Sequence, residues 1–351
     1  MPIIITDDDA ARLLSIPESI DAMRVAFRDF AQGRAVNPPR LRYSLPTPDD
    51  GRLYTANIHA GAVQSYNVAC VRAGSHFSSA LNNPQRKAMA DPGAFNWTII
   101  VLYELSTGEP LAFLHETHLS GVRVGATNAL AVAEAARPDA QVLGLFGSGN
   151  QALPSCRAIC SVRPIRQVRV FSPNPAHRAA FVERMAGGKV EVVAVDDPRA
   201  VVQGADIICC TTSSKQPVFK GEWLENGQMV ISIANSDVLT ARHEVDETTF
   251  ARAGDIIIND WASVGANRQM ELLGPIENGL VAREDVHELG TLVAGKAKLR
   301  RRPDGIVYYK NNSGLAMQFA ACGAIIHRKL AAEGTARTIP REWFASRKYN
   351  L

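Results

Sequence analysis

A glycine-rich turn near the middle of the chain is the pattern most directly tied to chemistry. The apolar segment Val142–Phe146 runs into Gly147-Ser148-Gly149-Asn150-Gln151-Ala152, which has the spacing GxGxxA. In this pattern the first glycine permits a tight turn, the second lets a ligand approach the bare backbone, and the small last residue keeps the next helix close to its sheet. The N–H groups and dipole of that helix favour a bound anion. We therefore predict that residues 147–152 hold the pyrophosphate of a dinucleotide.

The surroundings of this turn strengthen the prediction. A second apolar segment, Gln167–Phe171, follows after a spacer long enough for one helix. A strand, a helix and a second strand within about 30 residues form the βαβ unit that a dinucleotide fold requires. A glycine-bearing turn without a ligand is the alternative, and this context disfavours it.

The residues after the second strand bear on which nucleotide binds. A carboxylate there would bind the ribose 2′-hydroxyl of NAD and repel a 2′-phosphate. Instead the chain has Ser172 and Asn174 as hydrogen-bonding groups, with His177 and Arg178 as cationic partners for a phosphate. We therefore predict that Ser172, Asn174 and Arg178 bind the cofactor and that NADP(H) is preferred, with NAD(H) as the alternative. Arg178 would otherwise simply face water, as arginines commonly do.

Composition and charge exclude several classes of protein. No apolar run approaches the length of about 18–20 residues needed to span a bilayer, and the start of the chain lacks the layout of an export signal, so we expect a cytoplasmic protein that does not insert into membranes. The net charge is only +3, and the basic run Lys296–Arg302 carries no interleaved aromatic residues, so we expect no nucleic-acid partner. The six cysteines show no paired zinc spacing, and we predict no metal site.

The remaining elements must position the nucleotide and a substrate. At 351 residues the chain suits two domains. The periodicity predicts one helix over 6–33, short strands between 53 and 113, and an Ala-rich helix over 119–136. Strand patterns then recur at 190–195, 206–211, 229–234 and 255–258, as in a mostly parallel, doubly wound sheet, and a last helix covers about 314–330. We expect that helix to pack on the first domain, which makes the first domain discontinuous.

In this order and spacing, the motifs of the chain resemble the ornithine cyclodeaminase and mu-crystallin family, which also contains alanine dehydrogenases and imine or ketimine reductases. The resemblance covers nearly the whole chain. The matching segments are Phe27–Gly33, Pro38–Arg40, Thr107–Ala112, Leu119–Ala126, the glycine-rich turn, Ala205–Ile207, Thr211–Ser214, Pro217–Phe219, Glu244–Asp246, Val264–Ala266 and Ser313–Ala316.

The resemblance implies a fold and a set of site residues. The fold is α/β, with a Rossmann dinucleotide-binding domain at 123–314 and a discontinuous α+β substrate-binding and dimerisation domain at 1–122 and 315–351. It implies a homodimer, a small carboxylate-bearing substrate held by Arg40 and Arg123, and a nucleotide contact from Thr211, Thr212 and Ser213. Arg123 lies among small residues before a helix that we expect to be buried, where a guanidinium needs an anionic partner. A structural ion pair is the alternative for Arg123, and an exposed turn is the alternative for Arg40.

Two positions depart from the cyclodeaminase pattern. Arg72 stands where the cyclodeaminases and many reductases have a lysine, and Asn267 stands where the cyclodeaminases have an aspartate. Arginine keeps the positive charge but does not release its proton near neutral pH, so Arg72 can hold a carboxylate or polarise an imine without acting as an acid or base. We assign Arg72 to substrate binding and both residues to the catalytic site, and we interpret the two changes as an argument against cyclodeaminase activity.

These residues lead to three hypotheses about function. The first is an NADP(H)- or NAD(H)-dependent oxidoreductase that acts on the C=N or C–N bond of an α-imino acid, amino acid or cyclic ketimine. The second is a deaminating lyase that recycles its bound nicotinamide, and the third is a nucleotide-dependent binding protein of the mu-crystallin type. The proton source of the reaction stays open among His59, His76, His115, Glu116 and water.

Overall fold

The computed structural model describes residues 1–48, 53–78, 97–236, 241–299, 305–311 and 315–345. Its helices are α1 (Asp7–Leu13), α2 (Ile16–Ala31), α3 (Thr117–Ala135), α4 (Ala152–Val162), α5 (Pro175–Met185), α6 (Pro198–Val202), α7 (Glu247–Arg252), α8 (Trp261–Ala266), α9 (Met270–Glu277), α10 (Leu289–Val293) and α11 (Ala316–Glu333). The early strands are β1 (Ile3–Ile5), β2 (Ala35–Val36), β3 (Leu41–Pro46), β4 (Leu53–Val63), β5 (Val68–Ser78), β6 (Trp97–Glu104) and β7 (Pro110–His115). The later strands are β8 (Val142–Phe146), β9 (Gln167–Phe171), β10 (Glu191–Ala194), β11 (Ile207–Cys210), β12 (Met229–Ser232), β13 (Ala253–Ile258), β14 (Val286–Glu288), β15 (Ile306–Lys310) and β16 (Arg337–Thr338).

The chain divides into two compact units. The first contains Met1–Ser15, Gly33–Ser120 and Leu315–Leu351, and the second contains Ile16–Gln32 and Gly121–Gly314. The last helix, α11, therefore belongs to the first unit, whereas α2 belongs to the second.

The first unit is built on one mostly antiparallel sheet. Its strands lie in the order β16-β1-β7-β6-β5-β4-β2, and β3 pairs with β4. Helix α11 packs against one face, where small residues allow a close approach. A Cβ at Gly61 would lie 2.9 Å from the Met317 nitrogen, and one at Gly323 would lie 2.8 Å from Leu102. Larger side chains at these two positions would push the helix off the sheet.

The second unit is a doubly wound sheet in which every strand pair is parallel. Its order is β10-β9-β8-β11-β12-β15-β13-β14, so the strand order reverses at β8 and β11. Its central strands are apolar and fully buried, as a sheet covered on both faces requires. This is the Rossmann arrangement, and it confirms the fold class predicted from the sequence.

The helix predicted over 6–33 is wrong in one respect, because it is two helices. Helix α1 ends at Leu13 and Leu14 is extended, with φ −111° and ψ 104°. Helix α2 then starts at Ile16, with Pro17 in its first turn. Proline has no N–H to donate to the carbonyl four residues earlier, and its ring clashes with that turn, so Pro17 disfavours a continuous helix and is favoured in the first turn of a new one.

Candidate functional site

The glycine-rich turn has the geometry that its sequence predicts. Gly147 has φ +96°, and a Cβ there would lie 2.7 Å from the carbonyl oxygen of Thr211. The Gly147 N–H donates to the Phe171 carbonyl at 2.8 Å, which fixes the turn across the top of β8 and β9. A Cβ at Gly149, in contrast, would meet nothing within 4 Å. Gly147 is therefore required by the fold, and Gly149 leaves open space beside the backbone.

Helix α4 begins directly after this turn. Ala152 is its first residue and is completely buried, and Gln151 precedes it. The buried Oε1 atom of Gln151 has no hydrogen-bond partner among the described residues. Helix α3 approaches α4 closely, because a Cβ at Gly125 would lie 2.6 Å from the Pro154 backbone. The helix N-terminus is thus fixed in position next to the open space at Gly149.

A cavity of about 390 Å³ lies at this end of the second unit. Seven residues from the sequence analysis line it: Arg123, Gly149, Asn150, Gln151, Thr211, Thr212 and Ser213. Five further lining residues were not predicted: Val124, Ile233, Asn235, Arg242 and Asn311. Ile233 and Asn235 follow β12, Asn311 follows β15, and Arg242 precedes α7. The sequence analysis did not predict β15. Ile233 lies at the end of the strand predicted over 229–234, and ligands bind at the carboxyl ends of parallel strands, so this position was a signal that could have found it.

Arg178 and Asn174, which the sequence analysis predicts to bind the nucleotide, make hydrogen bonds within the protein. Arg178 does not face water; it is buried, its Nη1 donates to the Ser172 carbonyl at 2.6 Å and its Nη2 to Asp196. Its guanidinium also lies 5.5 Å from the Phe171 ring centre. Asn174 uses its side chain to cap α5, accepting from the Ala176 N–H at 2.9 Å. Asp196, the carboxylate that pairs with Arg178, follows β10 and is 95% exposed.

In the first unit, Arg72 lies on β5 on the face that α11 covers. Its Nη2 donates to Glu116 at 2.5 Å, and the guanidinium lies 5.7 Å from the Phe319 ring centre. The Nε and Nη1 atoms of Arg72 are buried and have no hydrogen-bond partner among the described residues. Two buried N–H donors without an acceptor are costly, so this side of Arg72 calls for an anionic or polar ligand.

The other candidates of the first unit differ in exposure. His59 is buried and is the register partner of Arg72, whereas His115 is exposed and bonds to Asp7 at 2.7 Å. Arg40 precedes β3 and is partly exposed. The side chain of His76 lies outside the described residues. Of the candidate proton sources, Glu116 and His59 are therefore the buried ones.

Asn267 has a local structural contact. It follows α8 and is buried, and its amide nitrogen donates to the Ser263 carbonyl at 2.9 Å. The side chain therefore closes the end of that helix, and its assignment to catalysis stays a prediction.

Neither a metal-binding cluster nor a membrane-spanning helix lies in the described part of the chain. No group of three or more His, Cys, Asp or Glu side chains placed to hold a metal ion is found there. None of the helices described is both long and apolar enough to cross a membrane. Residues 300–302 of the basic run lie outside the described residues, as do Ser313 and Gly314.

Comparison with known proteins gives a consistent result. A model of the ornithine cyclodeaminase/mu-crystallin family matches residues 2–334. An uncharacterized cyclodeaminase of Sinorhizobium fredii is 32% identical over 314 residues, which cover 86% of this chain and 88% of the relative. A Delta(1)-pyrroline-2-carboxylate reductase of Bacillus cereus is 26% identical over 340 residues, covering 96% and 99%. The structure of the Thermococcus litoralis Delta(1)-pyrroline-2-carboxylate reductase with NADH and L-proline has a TM-score of 0.84 at 24% identity, covering 96% and 100%.

Proposed function

Because the chain belongs to the ornithine cyclodeaminase/mu-crystallin family, we propose that it is a nicotinamide-dependent oxidoreductase acting on an α-imino acid, an amino acid or a cyclic ketimine. The observation that carries the proposal is the cavity at the GxGxxA turn, where Gly149, the start of α4 and the buried Gln151 Oε1 border one space. The Bacillus cereus relative, matched over nearly its whole length, is an imine reductase by name.

The residues of the second unit fit a dinucleotide. The turn at Gly147 cannot carry a side chain, and the open space at Gly149 admits a phosphate to the backbone. Residues 147–152 would hold the pyrophosphate, and Thr211, Thr212 and Ser213 would border the nicotinamide half, since they follow β11 on the far side of the point where the strand order reverses. When bound, the nicotinamide supplies or accepts the hydride.

We propose NADP(H) as the preferred cofactor, with NAD(H) as the alternative. The support is the positive charge of Arg178 after β9, close to where the adenosine ribose binds in this fold. Asp196 opposes it, because it already neutralises that guanidinium. The preference therefore depends on whether a 2′-phosphate displaces Asp196 from Arg178.

The first unit supplies a site for the substrate carboxylate. Arg72 presents two buried donors without acceptors, and Glu116 fixes its guanidinium from the other side. A guanidinium bound to a carboxylate forms strong, oriented, charge-assisted hydrogen bonds. Arg72 would thus orient the substrate without exchanging a proton. Arg40 and Arg123 stay predictions as further carboxylate ligands.

Glu116 and His59 are the buried candidates for the proton source of the reaction. One oxygen of Glu116 accepts a hydrogen bond from Arg72 at 2.5 Å, and His59 is the register partner of Arg72. Protonation of the substrate nitrogen during reduction needs such a group or a water molecule.

A screen of turnover tests this proposal. Purified protein is given 2-oxo acid plus amine pairs, cyclic ketimines and, in reverse, amino acids, and absorbance of the reduced nicotinamide is followed. Net oxidation or reduction of the nicotinamide with at least one substrate is expected. Binding of NADPH or NADH without turnover of any imino or amino acid would instead favour a binding protein.

The deaminating lyase is the second candidate, favoured by the name of the Sinorhizobium relative. It would release ammonia and form proline from ornithine without net change in the nicotinamide. Since Arg72 cannot exchange a proton and Asn267 closes a helix with its amide, we expect no ammonia from ornithine. Robust proline formation by the wild-type protein would reverse the order of the two candidates.

We also propose a homodimer formed through the first unit. The sheet face opposite α11 exposes Leu41, Tyr43, Leu45, Trp97 and Ile99, each by more than half. The strand register places Leu41, Ile58, Ala73 and Ile99 in one row on that face. A contiguous apolar face of this kind is typical of an interface, and a second copy of the chain is the partner we propose.

A further inference from the structure

Two glutamates and a lysine are buried below the end of the sheet that borders the cavity. Glu244 and Lys310 are completely inaccessible and Glu271 is 2% exposed. The Lys310 Nζ contacts the Glu271 carboxylate at 3.0 Å. None of these three described residues lines the cavity itself. With all three ionised, the group carries one net negative charge inside the protein.

Glu244 connects two strand ends through backbone hydrogen bonds. Its Oε1 accepts from the Thr212 N–H at 2.5 Å, and its Oε2 accepts from the N–H groups of Ile233 and Ala234 at 2.8 and 2.7 Å. The Thr212 hydroxyl contacts the same carboxylate at 2.8 Å. Thr212 and Ile233 line the cavity, after β11 and β12 respectively. One carboxylate therefore sets the backbone on the nicotinamide side of the cavity.

The contacts of Glu244 use its carboxyl oxygens as acceptors. Burial and the nearby Glu271 raise the pKa of Glu244, whereas Lys310 and the hydrogen bonds from Thr212 lower it. A backbone N–H can only donate, so the three backbone bonds fix the positions of the two accepting oxygens. Glu271 accepts from the Glu244 N–H at 2.5 Å and from the Tyr308 hydroxyl at 2.6 Å. Burial alone would raise the pKa of Glu271. The charge of Lys310 and the hydrogen bonds that Glu271 accepts outweigh this effect, so the pKa is lowered overall.

Such a network is a poor way to stabilise a fold. Removing charges from water is expensive, and apolar side chains of the same volume often replace a buried ion pair without loss of stability. A fully hydrogen-bonded carboxylate does, however, fix the positions of the groups that bond to it. The free-energy cost of the network therefore indicates that the backbone at Thr212 and Ile233, which forms one rim of the cavity, must be accurately placed.

We infer that Glu244 is a positioning residue for the cofactor, which preforms the Thr212 and Ile233 side of the cavity, and that Glu271 and Lys310 keep it in place. The inference rests on the proposed function, because the ligand of this rim is the nicotinamide dinucleotide. A preformed rim raises affinity by reducing the ordering that binding must impose.

Binding titrations with Glu244→Gln test the inference. The amide has nearly the same shape, but its NH₂ group would face backbone donors and could not accept from them. The Kd for NADPH and NADH, followed by nucleotide fluorescence, should rise about tenfold to a hundredfold. The rise in melting temperature caused by saturating nucleotide should shrink in parallel. The KM of the carboxylate substrate at saturating nucleotide should change less than about threefold, since Arg72 is untouched.

Two control variants separate positioning from loss of stability. Ile256→Val trims a buried core side chain in β13 and should lower the melting temperature without changing the nucleotide Kd. Glu225→Gln alters a different carboxylate that accepts a backbone N–H, from Gly204 at 3.1 Å, and should change neither. A Glu244→Gln variant that remains folded and binds nucleotide like the wild type would show the inference to be wrong.

Further variants keep the test decisive if Glu244→Gln does not fold. Ser232 contacts both carboxylates, at 2.9 and 2.6 Å, and does not line the cavity. Ser232→Ala should raise the nucleotide Kd several-fold, and an unchanged Kd would contradict the inference. Lys310→Met should weaken binding more than Lys310→Met combined with Glu271→Gln, because the double variant restores the net charge of the network.

The wild-type titration distinguishes the two proposals. If the wild-type protein binds neither nucleotide, the proposed function is wrong and the inference fails with it. If the wild type binds and the network variants bind equally well, only the positioning role is wrong.

Discussion

The guanidinium of Arg72 has more buried hydrogen-bond donors than its ion pair with Glu116 uses. Its pairing with Glu116 occupies Nη2, while Nε and Nη1 stay buried without acceptors among the described residues. Leaving buried donors unsatisfied costs about 1–3 kcal/mol per group. A carboxylate ligand would satisfy them, so we interpret the arrangement as prepared for the substrate.

Arg72→Met should raise the KM for the carboxylate substrate about tenfold to a hundredfold, because a charge-assisted contact contributes about 1.5–3 kcal/mol. Arg72→Lys should retain part of the activity, since it keeps the charge and loses the planar geometry. Steady-state kinetics at saturating nucleotide measure both. Arg341→Met is the matched control, because Arg341 forms an exposed ion pair with Glu109 in the same unit. Equal KM values for wild type and Arg72→Met would remove Arg72 from the substrate site.

We propose that Arg178 and Asp196 together decide the cofactor preference. If Arg178 binds the 2′-phosphate, Arg178→Ala should weaken NADPH about tenfold to a hundredfold and leave NADH nearly unchanged. Asp196→Asn should strengthen NADPH binding, because it releases the guanidinium and removes a negative charge. Titration of each variant with both nucleotides gives the comparison. Equal affinity of the wild type for NADPH and NADH would overturn the preference for NADP(H).

The sequence predicted residues well where a backbone constraint selects the residue type. Gly147 and Gly149 follow from the turn itself. Thr211 to Ser213, which the family resemblance implied, line the same cavity as Gly149, and their contact with a nucleotide stays a prediction. Contacts that depend on the folded structure could not be predicted from the sequence. Asp196 reaches Arg178 from the next strand, and Asn235, Arg242 and Asn311 enter the cavity from segments far apart in the chain, so no local spacing reveals them.

Among the elements, the turn between β8 and α4 gives a paired prediction. Gly147→Ala combines a positive φ with a Cβ at 2.7 Å from Thr211, so it should lower the free energy of unfolding by about 1–3 kcal/mol or more. Gly149→Ala meets no atom within 4 Å and should leave stability nearly unchanged while it weakens nucleotide binding. Denaturant unfolding and nucleotide titration of the two variants provide the measurement. A Gly149→Ala protein that binds like the wild type would mean that the nucleotide does not approach this backbone.

The sequence predicted helices and strands correctly where one local signal was stronger than the others. The buried strands β8, β9, β11 and β12 are short apolar runs between turn residues, and they lie within a few residues of their predicted positions. The prediction of one helix over 6–33 did not take Pro17 into account. The effect of this proline on the backbone is stronger than the apolar periodicity around it. Strand β15 was missed because Ile306–Lys310 ends in a lysine, a residue type that is rarely buried, and here this lysine is buried and paired with Glu271.

At the scale of the whole molecule, the exposed apolar face of the first unit is the feature that a single chain leaves unexplained. Trp97 is 66% exposed and Ile99 is 54% exposed, although both lie on β6, a central strand of the sheet. The opposite face is covered by α11, and we propose that a second copy of the chain packs on this face. Burying apolar surface contributes about 25 cal/mol per Å², which makes a face of this kind costly to leave in water.

The expected consequence is that one charge on this face prevents dimer formation. Ile99→Asp would place two carboxylates in a symmetric apolar interface, at a cost of several kcal/mol per ion, so dissociation should become at least about a thousandfold easier. Light scattering after size exclusion should give the mass of a dimer for the wild type and of one chain for the variant, with unchanged circular dichroism. Leu280→Asp is the control, because Leu280 is 40% exposed in the second unit and its variant should remain dimeric. A wild-type protein that is monomeric at micromolar concentration, or an Ile99→Asp variant that stays dimeric, would show that this face is not the dimer interface.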